Sequence, residues 1–96
     1  MELINKALSK DPQNGAYLDS LGWVYFKKKD YNKAVFYLKK AADKLRDPLI
    51  FEHLGDAYFA IGDYKKAKFW WLRSLELEKN PQVEKKLERV KDEVSP

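Results

Sequence analysis

The side chains in this 96-residue sequence that could do chemistry are few. Ser20 and the lone His53 stand 33 residues apart, with Asp19, Glu52 and Asp56 beside them. If two neighbouring helices brought these together, a hydroxyl, an imidazole and a carboxylate would meet as in nucleophilic catalysis. Nothing else such chemistry needs is present. There is no glycine elbow for a nucleophile, no donor pair for an oxyanion and no sign of an enclosed pocket. A single histidine on an open surface reads as a polar contact, so no enzyme activity is expected. One histidine, no cysteine and no calcium-loop spacing leave no expected metal site. No glycine-rich phosphate loop occurs, so no cofactor is expected either.

Lysines cluster at Lys27-Lys28-Lys29, Lys39-Lys40, Lys65-Lys66-Lys68 and Lys85-Lys86, within a net charge of +4. Asp30, Asp43, Asp63 and Glu84 interrupt them, and they spread over turns and several faces. A nucleic-acid binder gathers its cations on one face beside stacking aromatics, so no nucleic-acid partner is expected. No apolar run approaches the roughly 20 residues of a membrane span. The opening Met1-Glu2-Leu3-Ile4-Asn5-Lys6 has neither the basic region nor the apolar stretch of a secretion signal. The absence of cysteine slightly favours a cytoplasmic setting without excluding an exported parent protein.

The elements that would position these residues emerge from an internal repeat. At an offset of 33, Leu21-Gly22 falls on Leu54-Gly55, Tyr25-Phe26 on Tyr58-Phe59, and Asp30-Tyr31 on Asp63-Tyr64. Lys33-Ala34 falls on Lys66-Ala67, Phe36 on Phe69 and Pro48 on Pro81. Each copy reads as two amphipathic helices around a tight turn. In the first copy Leu18, Leu21, Val24 and Tyr25 form one stripe. Asp30 then caps a second helix bearing Tyr31, Ala34, Val35, Leu38, Ala41 and Ala42. The second copy offers Phe51, Leu54, Ala57, Tyr58 and Ile61, then Gly62-Asp63, then Tyr64, Ala67, Trp71, Ser74 and Leu75. Asp47-Pro48 and Asn80-Pro81 are helix starts, a capping residue followed by proline where no N–H is needed. The spacing predicts helices over roughly 2–10, 15–28, 31–45, 48–61, 64–78 and 81–93.

These residues resemble the tetratricopeptide repeat family. Leu18-x-x-Leu21-Gly22-x-x-Tyr25 with Ala34 and Leu38, and Phe51-x-x-Leu54-Gly55-x-x-Tyr58 with Ala67 and Trp71, follow its pattern. Leu18 and Leu38 replace usual aromatics, and the repeat is one residue short. The resemblance extends to the closing repeats of a longer bacterial protein of this kind. It implies an all-α solenoid of about six antiparallel helices wound as a right-handed superhelix. A half-repeat (1–14), two full repeats (15–47 and 48–80) and a capping helix (81–96) would make one domain.

The resemblance further implies a protein–protein interaction scaffold that holds a peptide or partner segment in a concave groove lined by the first helices. The groove positions are Asp19, Ser20, Trp23 and Phe26, then Glu52, His53, Asp56 and Phe59, then Gln82, Lys85, Lys86 and Arg89. Asp19 and Glu52 stand where some relatives use lysine to grip a terminal carboxylate, so that clamp is not expected. The groove runs from acidic and aromatic to basic, and its acidic part suits a basic or aromatic segment. Phe36 and Phe69 exceed what the core stripe needs and form a possible second surface. The competing expectation is a structural end of a longer solenoid with no ligand of its own, self-associating through the helix over 2–10.

Overall fold

The structure, a computed structural model, describes residues 14–94. Every regular element among them is a helix: α1 (Gly15–Lys27), α2 (Tyr31–Lys44), α3 (Pro48–Ala60), α4 (Tyr64–Leu77) and α5 (Pro81–Val94). Of the six helices expected, the one over 2–10 lies outside the described residues. The other five stand within about two residues of the expected bounds. None is long and apolar enough to cross a membrane.

Each helix begins on a short polar side chain that accepts one of the unpaired N–H groups of the first turn. Asn14 accepts from Tyr17, Asp30 from Lys33, Asp47 from Leu49, Asp63 from Lys66 and Asn80 from Gln82. The two tight turns inside the repeats are the same motif. Lys29 N–H donates to the Phe26 carbonyl and Asp30 N–H to that of Tyr25. In the second copy Gly62 donates to Phe59 and Asp63 to Tyr58. This paired closure requires a left-handed residue, and Lys29 (φ 66°) and Gly62 (φ 86°) supply it. The same Asp that completes the closure then caps the next helix, so one helix passes to the next without slack.

Packing is chiefly between helices successive in the chain. Ala34, Leu38, Leu54, Ala57, Tyr58, Ala67, Trp71, Val83 and Val90 form one buried cluster running from α2 to α5. Leu18, Ala41, Ile50 and Phe51 form a second. Burying each large side chain contributes about 1.5–3 kcal/mol, and the glycines let the helices come close enough to do it. A Cβ on Gly22 would stand 2.7 Å from Leu38 Cγ, and one on Gly55 would run into the Trp71 indole. Ser74 is buried with the core and donates its hydroxyl to the Pro48 carbonyl at 2.8 Å. Ile61, expected on the apolar stripe of α3, is instead 41% exposed. It is the residue at which α3 ends, and the turn at Gly62 leads the chain away from the core.

Candidate functional site

The first helices of the repeats and the last helix share one face. α1 contributes Asp19, Ser20, Trp23 and Phe26; α3 contributes Glu52, His53, Asp56 and Phe59; α5 contributes Lys86 and Arg89. Each set recurs at one-turn spacing, which is how a helix places side chains along a single side.

Between α1 and α3, His53 Nδ1–H donates to Asp19 Oδ1 at 2.9 Å. The carboxylate only accepts, so this bond fixes the proton on Nδ1. Trp23 stacks on the imidazole with centroids 3.9 Å apart and on Phe26 at 4.5 Å. Lys27 Nζ lies 5.3 Å from the Trp23 ring centre. His53 is therefore held by a carboxylate at one nitrogen and an indole across its face. No hydrogen bond joins it to Ser20, which is exposed. The hydroxyl–imidazole–carboxylate set allowed by the spacing is not assembled: imidazole and carboxylate pair, and the hydroxyl stands apart.

Between α3 and α5, Lys86 Nζ donates to Glu52 Oε2 at 2.7 Å and to both Asp56 oxygens at 3.0 and 3.2 Å. Trp71 from α4 donates its indole N–H to Asp56 Oδ1 at 3.1 Å and to the Glu52 carbonyl at 3.3 Å. Burial pushes the Asp56 carboxyl above the ordinary range, more than the Lys86 charge and hydrogen bond pull it down. Burial pulls the Lys86 ammonium the other way. The hydrogen bond to Glu52 and the charge and hydrogen bond of Asp56 outweigh it, leaving Lys86 above the usual lysine value. Glu52 and Asp56, expected as part of an open acidic groove, thus already have a cation, brought by α5.

Beside this network opens a hollow of about 230 Å³, walled by Phe26, Phe59, Ala60 and Trp71, with Asp56, Lys86 and Arg89 at its sides. Phe59 packs on Tyr64 and Trp71, and the Arg89 guanidinium lies 5.8 Å from the Phe59 ring centre. A second, more open hollow is lined by Asp19, Ser20, Trp23, Lys27 and His53, and Glu52 borders a third. Gln82 and Lys85 are exposed and line none of them. Sequence reasoning placed Trp71 in the core stripe alone. The structure also gives it to the site, as the floor of the first hollow and a donor to Asp56.

Two segments of the chain match models of the tetratricopeptide repeat, residues 16–43 and residues 48–81. Among solved structures, the N-terminal domain of stress-induced protein-1 (STI-1) from C. elegans is similar at 26% identity and a TM-score of 0.76. The alignment covers 92% of this chain and 76% of that one. PilF from Pseudomonas aeruginosa is similar at 26% identity and a TM-score of 0.84, over 96% of this chain and 43% of that one. This chain therefore spans less than half of that protein. The first TPR of Spaghetti (RPAP3) is 24% identical with a TM-score of 0.90, over 99% of this chain and 77% of that one, a likeness of fold. No curated protein matches the chain by sequence.

Proposed function

The chain belongs to the tetratricopeptide repeat family, and on that premise we propose that it is an interaction scaffold whose α1–α3–α5 face holds a peptide segment of a partner protein. Repeats of this family serve in general as non-catalytic scaffolds. The same fold holds a peptide in the first TPR of Spaghetti (RPAP3), solved with the HSP90 peptide SRMEEVD. That likeness bears on the fold and not on the ligand.

The observation that carries the reading is the open, aromatic-walled hollow between Phe26, Phe59 and Trp71. Its one acid, Asp56, is paired with Lys86, so it offers an incoming chain apolar contact first. The segment it suits is one with an aromatic or aliphatic anchor, and a basic residue would have to displace Lys86 to reach Asp56. Selection from a random peptide library on the immobilised protein should return sequences with such an anchor. Their affinity should fall about tenfold in Phe59→Ala, a loss near 1.4 kcal/mol. Selected peptides that bind a folded Phe26→Ala/Phe59→Ala variant undiminished would sink the reading.

A second reading draws on α5. Val83 and Val90 are wholly buried while the remaining surface of that helix is mostly charged, as suits a cap that ends a solenoid. As a structural end without a ligand, the protein would return no peptide consensus from the same selection.

A further inference from the structure

Charge divides unevenly between the two kinds of helix. α2 and α4 together carry eight lysines and arginines against two carboxylates, whereas the rest of the chain holds eleven against thirteen. Large apolar side chains reach solvent on these basic helices: Phe36 is 53% exposed, Phe69 50% and Leu72 45%, while on α3 Leu49 is open too, at 52%. The repeat reproduces the arrangement, with Lys33, Phe36 and Lys40 on α2 and Lys66, Phe69 and Arg73 on α4. A cation three residues before and another four after each ring puts all three on one side of their helix.

The rings are held in place. Phe36 stands edge-on to Tyr37 with centroids 5.0 Å apart, and Phe69 edge-on to Trp70 at 5.1 Å. Tyr37 and Trp70 are themselves packed on the second core cluster, so each exposed ring rests on an anchored one. Lys40 Nζ lies 4.8 Å from the Phe36 centroid, and the Arg73 guanidinium 5.7 Å from that of Phe69. Each ring therefore offers apolar surface with a cation folded beside it.

We propose that this outer side of α2 and α4 docks an acidic amphipathic helix of a partner protein. Its apolar side chains would lie on Phe36, Phe69 and Leu72, and its carboxylates on Lys40 and Arg73. The charge imbalance selects the sign of the partner and steers its approach, while the paired rings supply the buried contact. A bilayer needs apolar side chains that stand beyond the cations and enter hydrocarbon. Here Lys40 and Arg73 lie over the rings, 4.8 and 5.7 Å from their centroids, which suits carboxylates set between leucines. A nucleic-acid strand stacks its bases on open ring faces, and these faces carry Lys40 and Arg73.

The surface involves neither the hollow nor any residue of the α1–α3–α5 face, so it stands or falls separately from the reading above. The test titrates ¹⁵N-labelled protein at low salt with a synthetic helical peptide carrying leucines along one side and glutamates on the other. Amide shifts should concentrate around Phe36, Lys40, Phe69 and Arg73, and binding should weaken as salt is raised. Affinity should fall about tenfold in Phe36→Ser/Phe69→Ser. Lys40→Glu/Arg73→Glu keeps the rings and should also abolish binding. The peptide with lysine in place of glutamate should not bind. Absent shifts, shifts confined to α1 and α3, or undiminished binding to both folded variants would overturn the proposal. So would tighter binding to phosphatidylserine-containing vesicles or to oligo(dT) than to the acidic peptide.

Discussion

At Lys29 the backbone holds a conformation that a residue with a Cβ disfavours by about 1 kcal/mol. Gly62 does the same task in the second copy without that strain, and a Cβ there would meet nothing within 4 Å. Lys29→Gly should therefore stabilise the protein only slightly, by about 0.5 kcal/mol or less, after allowing for the entropy that glycine gives the unfolded chain. Gly62→Lys should destabilise it by about 1 kcal/mol through backbone strain alone. Chemical denaturation of both variants checks this, and equal midpoints for Lys29→Gly and the parent would remove the strain argument. Lys86 ties stability to pH. Its folded value lies above the ordinary 10.5, so its pairing contributes fully below that value and is lost as pH rises through the raised one. Tyr58 acts in the same sense: burial, then the Asp63 charge, hold its phenol above 10.0, so its contribution also fades in alkali. Asp56 has the opposite weight at neutral pH. Its raised value means the contribution is present below 3.8 and fades as the carboxylate forms. The thermal midpoint should fall above about pH 10, and Lys86→Met should flatten that fall without abolishing it. Lys86→Met should also cost about 1–3 kcal/mol at pH 7, because it strands two half-buried carboxylates, the figure being reduced for the ammonium's partial exposure. An unchanged alkaline slope in that variant would place the titration elsewhere.

At the scale of the helix, the pairs α1–α2 and α3–α4 close on a glycine facing a large side chain, Leu38 on Gly22 and Trp71 on Gly55. Gly55→Leu should cost about 1–3 kcal/mol or more, because its first atom already overlaps the Trp71 indole, whose N–H is tied to Asp56 and Glu52. An unchanged thermal midpoint would mean that these helices can slide apart freely. This crossing also shows how much was legible beforehand. A small residue at a fixed offset in both copies reveals close approach, and an Asp before a hydrophobic stripe reveals a helix start, because both are local rules of spacing. The bounds of the five described helices, the turn at Lys29 and the exposure of Phe36 and Phe69 were legible for that reason. The fate of Glu52 and Asp56 was not. Which acid meets which cation depends on how α5 lies across α3, and their partner Lys86 is 34 and 30 residues away in the chain. Periodicity gives the face of a helix and leaves its cross-helix partner open. Ile61 missed its place for a smaller reason: the stripe continued in the sequence by one position after the helix had ended.

Across the whole molecule, stability passes from helix to helix in chain order, as in any array where each unit touches mainly its neighbours. α5 is joined to the rest by three named devices: Val83 and Val90 in the shared cluster, and Lys86 reaching back to Glu52 and Asp56. α3, by contrast, has helices on both sides and contributes Leu54, Ala57 and Tyr58 to the same cluster. Local opening should therefore begin at α5, since freeing it breaks its packing on α4 and the Lys86 bonds to α3, while freeing α3 breaks its packing on α1, α2 and α4 and those bonds as well. In native-state hydrogen exchange, amides of α5 should open at a lower free energy than those of α3, by about 1 kcal/mol or more. Val83→Ala removes two methyl groups from a fully buried position and should widen that gap by about 1–3 kcal/mol, felt in α5 before α3. The opened state would uncover Leu54 and Trp71, so the same variant should show scattering mass that grows with concentration while the parent does not. If α3 and α5 exchange with one common free energy in both proteins, the array behaves as a single cooperative block and the lid does not open on its own.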